Sequence, residues 1–146
     1  TKGIVHYGAY RSQEDADTIK TMEVNGINFA FLGYMEHTNG NYLSGDGAKV
    51  IYLDEEDKIK AQIEEADKMA DVVVVSCHYG TEIQNELNEQ QTEITPKLVE
   101  WGADLIIGTQ AHTISTCGYL DKPEGGQAFV YYGLGNFIST MTQSRL

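Results

Sequence analysis

The stretch from residue 54 to residue 77 constrains the fold more than any other part of the chain. Asp54 stands where a helix would be capped, and Glu55, Glu56 and Asp57 suit the positive end of a helix dipole. Ile59, Ile63, Ala66 and Ala70 then recur at i, i+4, i+7 and i+11, one apolar stripe along a helix over residues 54–70. With no loop between, the chain passes into Asp71-Val-Val-Val-Val-Ser-Cys77. That run is β-branched on successive positions and reads as a strand buried on both faces, as in a sheet covered by helices.

Residues on either side repeat the pattern. Ser12-Gln-Glu-Asp15 is a helix start, with an acid three residues after the cap. Asn25-Gly26 is a turn signal between residues 21–24 and 27–34 and predicts a hairpin, its second strand largely buried. Residues 37–48, rich in Gly and Asn, read as a long loop. Residues 88–101 read as a second helix, with Asn88 and Gln91 as a cap pair and Gly102 at the stop. Pro96 leaves two alternatives there, a kink or a fresh helix capped by Thr95. Strands follow at 103–108, 117–120 and 128–132. The alternation predicts an α/β fold with a mixed or parallel sheet and flanking helices. Ligands of such sheets gather at the carboxyl ends of the strands.

A chain of 146 residues is enough for a single domain. Its net charge of −12 comes with no basic stripe, which excludes nucleic acid as a partner. No apolar run approaches the roughly 20 residues of a membrane span, so no anchor or signal is expected within these residues. Cys77 and Cys117 leave open both two free thiols and a pair between neighbouring strands. There is no Gly-x-Ser-x-Gly elbow, no His-Glu-x-x-His, and Gly133-x-Gly135 lacks the third glycine of a dinucleotide loop.

The chemistry-bearing residues fall at predicted strand ends. Ser76-Cys-His-Tyr-Gly-Thr-Glu82, Gly108-Thr-Gln-Ala-His-Thr113 and Gly133-Leu-Gly-Asn-Phe137 each follow an apolar run. If the strands are parallel neighbours, His78, Glu82, Gln110, His112 and Asn136 meet on one rim. Imidazole, carboxylate and amide oxygen are ligand types for a divalent metal. His6 and His37 have no patterned context and are expected to be ordinary surface residues.

Four segments carry a resemblance. Val24-Asn-Gly-Ile-Asn-Phe-Ala-Phe-Leu-Gly-Tyr34, residues 71–82, Glu100-Trp-Gly-Ala-Asp-Leu-Ile-Ile-Gly108 and Tyr131-Tyr-Gly-Leu-Gly-Asn-Phe-Ile138 resemble, in order and spacing, the CapA-type family of bacterial capsule and poly-γ-glutamate biosynthesis proteins. The resemblance runs from about Gly3 to Ile138. It implies the C-terminal half of a metallophosphatase-like fold related to the calcineurin-like phosphoesterases, with the upstream half absent. It further implies a parent anchored in the membrane with this domain at the extracellular face of the cell. His78 matches the family's His after a central strand, and His112 matches the second His of a Gly-x-His-x-His segment whose first His is here Gln110. The resemblance thus implies metal ligation by His78 and His112, and substrate or water orientation by Glu82, Gln110 and Asn136. It also implies a divalent ion (manganese, zinc or magnesium) in the full-length protein, with none held tightly by this chain alone.

Two functions of different classes remain. One is a metal-dependent hydrolase or transferase in the full-length protein that acts on a capsular polymer or its machinery. The other is a non-enzymatic module that keeps the fold and binds polymer or a partner, which the neutral Gln110 favours. A sheet cut from a larger one also leaves an open flank, expected near residues 4–8 or 128–132, and with it self-association into a homo-oligomer.

Overall fold

The computed structural model describes residues 4–40, 43, 45 and 47–140. Helix α1 (Gln13–Asp17) starts on Ser12, whose side chain accepts from the Asp15 N–H, as the sequence pattern predicts. Strands β1 (Lys20–Val24) and β2 (Ile27–Met35) form the predicted hairpin. Asn25 and Gly26 both take positive φ, 53° and 81°, the turn whose twist suits paired strands. Helix α2 (Glu56–Met69), β3 (Val72–Tyr79), α3 (Glu89–Glu100), β4 (Leu105–Gln110), β5 (Cys117–Asp121) and β6 (Gln127–Tyr131) complete the order.

The six strands lie in one sheet in the order β1-β2-β3-β4-β6-β5. Strands β2, β3, β4 and β6 run parallel, and the outer two are antiparallel to their neighbours. The fold is therefore α/β with a mixed sheet. Ile59, Ile63 and Ala66 of α2 and Ile94, Leu98 and Val99 of α3 share one core with Val73, Val75, Cys77 and Tyr79 of β3. By strand alternation the opposite face carries Phe29, Phe31, Val74, Ser76, Leu105, Ile107, Phe129 and Tyr131. Most of these side chains are half-buried. Both central helices lie on the first face, and Lys97 of α3 ties to Glu56 of α2 at 2.7 Å.

Several local expectations change. The cap of α2 is Glu55 rather than Asp54, and its carboxylate accepts from the Tyr52 N–H instead of from the helix. Asp54 stays exposed outside the first turn. Asn88 and Gln91 do form a capping box. Pro96 sits inside one continuous helix, on its solvent side, where water can satisfy the carbonyl that its ring leaves without an N–H partner. The open flanks are β1 and β5, not residues 4–8 or 128–132, because the strand of 117–120 pairs outside β6.

Both cysteines are free. Cys77 lies in β3 and Cys117 in β5, with β4 and β6 between them. Three strand spacings come to about 14 Å, beyond the roughly 7 Å limit for bridging Cα atoms. They are thus not on neighbouring strands. Part of the 37–48 loop (residues 41, 42, 44 and 46) lies outside the described residues.

Candidate functional site

The carboxyl ends of β3 and β4 and the segment after β6 enclose a cleft of about 190 Å³. Its walls include His78, Thr109, Gln110, His112 and Asn136. The register sets this up, because His78 lies opposite Thr109 and Tyr79 opposite Gln110. Gly108 allows the close approach: a Cβ there would stand 2.1 Å from the Tyr132 carbonyl oxygen.

The exit from β4 is held in a costly conformation. Gln110 has φ +92° and His112 φ +60°, the left-handed region that side chains other than glycine rarely adopt. Each such residue costs on the order of 1–3 kcal/mol and persists only where its surroundings hold it. Here the turn after β3 does the holding. Ile83 N–H donates to the Ala111 carbonyl at 2.7 Å, and Thr113 Oγ1 donates to the Gln84 carbonyl at 2.8 Å. Ile83, in the turn that does the holding, is itself at φ +59°, so strained backbone gathers on both sides of this contact, the pattern of a site rather than of a plain connection.

Hydrogen bonding orients both imidazoles. His112 Nδ1 lies 2.8 Å from Asn136 Oδ1. An amide oxygen can only accept, so Nδ1 carries the hydrogen and Nε2 the lone pair. His78 Nδ1 lies 3.3 Å from Thr109 Oγ1, and that hydroxyl donates to the Cys77 carbonyl at 3.4 Å. The hydroxyl oxygen then accepts from Nδ1, and Nε2 of His78 again holds the lone pair. Burial first, then the neighbouring imidazoles of His37 and His112, lower the pKa of His78, against an opposing pull from Glu36. His78 is therefore biased toward the neutral form, able to accept a proton or a Lewis acid at Nε2.

His78, Gln110, His112 and Asn136 thus come together, and Glu82 does not. Glu82 is exposed in the turn after β3 and does not line the cleft. His37, expected to be an ordinary surface residue, belongs with the group: its ring stands edge-on to His78 at 6.4 Å between centroids, and its Nε2 accepts from the Gln110 amide at 3.5 Å. Glu36 is a second residue that the sequence did not single out. Its carboxylate accepts from Gly80 N–H at 3.1 Å and its own N–H donates to the His78 carbonyl at 2.9 Å. Both follow the carboxyl end of a parallel strand, β2, the same position that drew attention to His78 and His112. The Asn25-Gly26 hairpin announces the pairing of β2 with β1, whereas nothing local to residues 27–37 announces its parallel pairing with β3.

These residues do not by themselves make a metal centre. Among the described residues no group of three or more His, Cys, Asp and Glu is arranged to hold an ion. Two imidazole Nε2 atoms with neutral amides are a partial donor set, and the adjacent carboxylate, Glu36, is turned to a backbone N–H.

The model of a family described as bacterial capsule synthesis protein PGA_cap matches residues 1–141. The PGA biosynthesis protein CapA of Bacillus subtilis (strain 168) is 30% identical over 132 residues, which are 90% of this chain and 33% of that protein. The capsule biosynthesis protein CapA of Bacillus anthracis is 27% identical over 137 residues, 91% of this chain and 32% of that protein. The chain spans about a third of the length of these curated relatives. A crystal structure of a hypothetical protein from Thermus thermophilus superposes with a TM-score of 0.52 at 18% identity, covering 84% of this chain and 41% of that one. That likeness bears on the α/β fold alone. With the family model matched along nearly its whole length, the chain belongs to the bacterial capsule synthesis protein PGA_cap family.

Proposed function

We propose that this chain is part of a protein of capsular polymer synthesis and that the cleft between His78, His112 and Asn136 contacts the polymer or its precursor. The family match carries the biological role, and the two relatives named for CapA favour poly-γ-glutamate as the polymer. The observation that carries the site is the convergence of two hydrogen-bond-oriented imidazoles, that of His112 on strained backbone, at the carboxyl ends of parallel strands. In this reading His78, biased toward the neutral form, accepts a proton or hydrogen bond from a bound group, and His112, Gln110 and Asn136 orient that group.

A divalent ion (manganese, zinc or magnesium) would need carboxylate donors from outside these residues. The proposal accordingly places the chain as one half of a metallophosphatase-like unit, at the extracellular face of a membrane-anchored parent. Among the described residues no helix is long and apolar enough to cross a membrane. A second reading, a polymer-binding module without catalysis, is favoured by the neutral Gln110 and the partial donor set. Incubating the complete protein with poly-γ-glutamate and with a phosphodiester substrate, in the presence of manganese, separates the two. Turnover that disappears in His112→Ala supports the enzyme. Polymer binding without turnover, weakened by the same substitution, supports the module. Absence of both binding and turnover refutes the site.

A further inference from the structure

A second pocket opens beside the imidazole cleft, on the far side of His78. It measures about 260 Å³ and lies over the carboxyl ends of β2 and β3, among Tyr7, Gly33, Met35 and Ser76. His78 and Thr109 line both pockets. The register puts them at the boundary, because His78 lies opposite Met35 on one side and opposite Thr109 on the other. The outer wall is the segment that precedes α1. Gly33 lets that segment come close: a Cβ there would stand 2.6 Å from the Gly8 Cα, and Gly8 itself takes φ +85°. Tyr7 then lies against Phe31 at 5.3 Å between ring centroids, and its hydroxyl is 3.0 Å from Ser76 Oγ.

The two pockets share one chemical character. The chain has 22 acidic residues, yet among the described residues no Asp or Glu lines either pocket. Glu36, whose charge acts on His78, is turned to the Gly80 N–H. Amides, hydroxyls and imidazoles stand there beside apolar surface from Met35 and Ala111. Such a lining suits the amide and alkyl links of a polyamide chain, and it sets no carboxylate against an anionic side group. The first pocket lies mainly between β4 and the segment after β6, the second between β2 and β3. Their middles are thus about two strand spacings, or about 10 Å, apart. One extended α-linked residue covers at most about 3.6 Å, and the two extra backbone bonds of a γ-linked residue bring that to about 6 Å. A single residue cannot reach across, whereas two or three can.

We infer that the two pockets are consecutive subsites for one γ-linked glutamate chain that crosses β3 at His78. The inference rests on the function proposed above for the first pocket and adds the length and path of the ligand. Calorimetric titration of the complete protein with glutamate, γ-linked triglutamate and γ-linked hexaglutamate tests it. The trimer should bind about tenfold or more tightly than the single residue, and the hexamer little more tightly than the trimer. Ala9 is exposed and lines the second pocket but not the first. Ala9→Leu should therefore remove the trimer's advantage and leave the affinity for the single residue unchanged. Chitotriose, a neutral chain, should not bind. A trimer held no more tightly than glutamate, an advantage that survives Ala9→Leu, or chitotriose bound as tightly as the trimer would overturn the two-subsite path. If His112→Ala still weakens glutamate binding in those cases, the first pocket stands. Loss of binding to every glutamate ligand would overturn the function proposed for the first pocket as well.

Discussion

Replacing Gly108 by Ala probes the junction on which the imidazole cleft depends. The new methyl would lie 2.1 Å from the Tyr132 oxygen, 2.5 Å from its carbonyl carbon and 2.8 Å from the Tyr79 ring. Two of these neighbours are backbone atoms, and the ring is fully buried with its hydroxyl bonded to Thr95, so none can step aside cheaply. Overpacking of a well-filled core costs about 1–3 kcal/mol, and contacts this short belong at the upper end. With a urea slope of about 2 kcal/mol per M, a loss of about 3 kcal/mol lowers the unfolding midpoint by about 1.5 M. Gly118→Ala is the control: it also lies in a strand, a Cβ there meets nothing within 4 Å, and relief of glycine's backbone entropy should stabilise it by up to about 1 kcal/mol. Urea denaturation followed by circular dichroism measures both. If Gly108→Ala unfolds at the same urea concentration as wild type or Gly118→Ala, the close approach of β4 to the segment after β6 is wrong.

Other outcomes are equally specific. A thiol reagent should modify Cys117 rapidly in the native chain and Cys77 only after unfolding, because burial shields Cys77 and raises its pKa; two fast thiols would contradict the buried β3. The lowered pKa of His78 means that the unfolded chain takes up its proton first as pH falls. Stability should therefore drop as pH passes below the ordinary 6.5 and level off below the folded value; His78→Gln should flatten that dependence, and equal slopes would refute it. The half-buried apolar sheet face and the exposed edges β1 and β5 favour self-association, against the net charge of −12. Light scattering at moderate salt should show dimers or larger species, and a constant monomer mass over a wide concentration range would exclude them.

The core of the fold was legible because its signals are local. The stripe of Ile59, Ile63 and Ala66, the valine run after it, the Asn25-Gly26 turn and the Asn88–Gln91 box each act within a few residues. The cleft was half legible, since His78 and His112 directly follow buried strands. What stayed hidden depends on lateral order. That β5 pairs outside β6, separating Cys117 from Cys77, is a property of the whole sheet. Glu82 lies four residues beyond His78, but the intervening turn carries it away into solvent. His37 enters because β2 is parallel to β3 as well as an arm of the hairpin, and no spacing within the 37–48 loop announces that.

The most direct test uses a strain whose only copy of the encoding gene carries His112→Ala, with Glu82→Ala beside it as the control. Capsular polymer at the cell surface is measured together with the amount of the protein. The account expects polymer to fall sharply in His112→Ala at unchanged protein level and to stay near wild type in Glu82→Ala. Wild-type polymer in His112→Ala would contradict the assignment of the cleft.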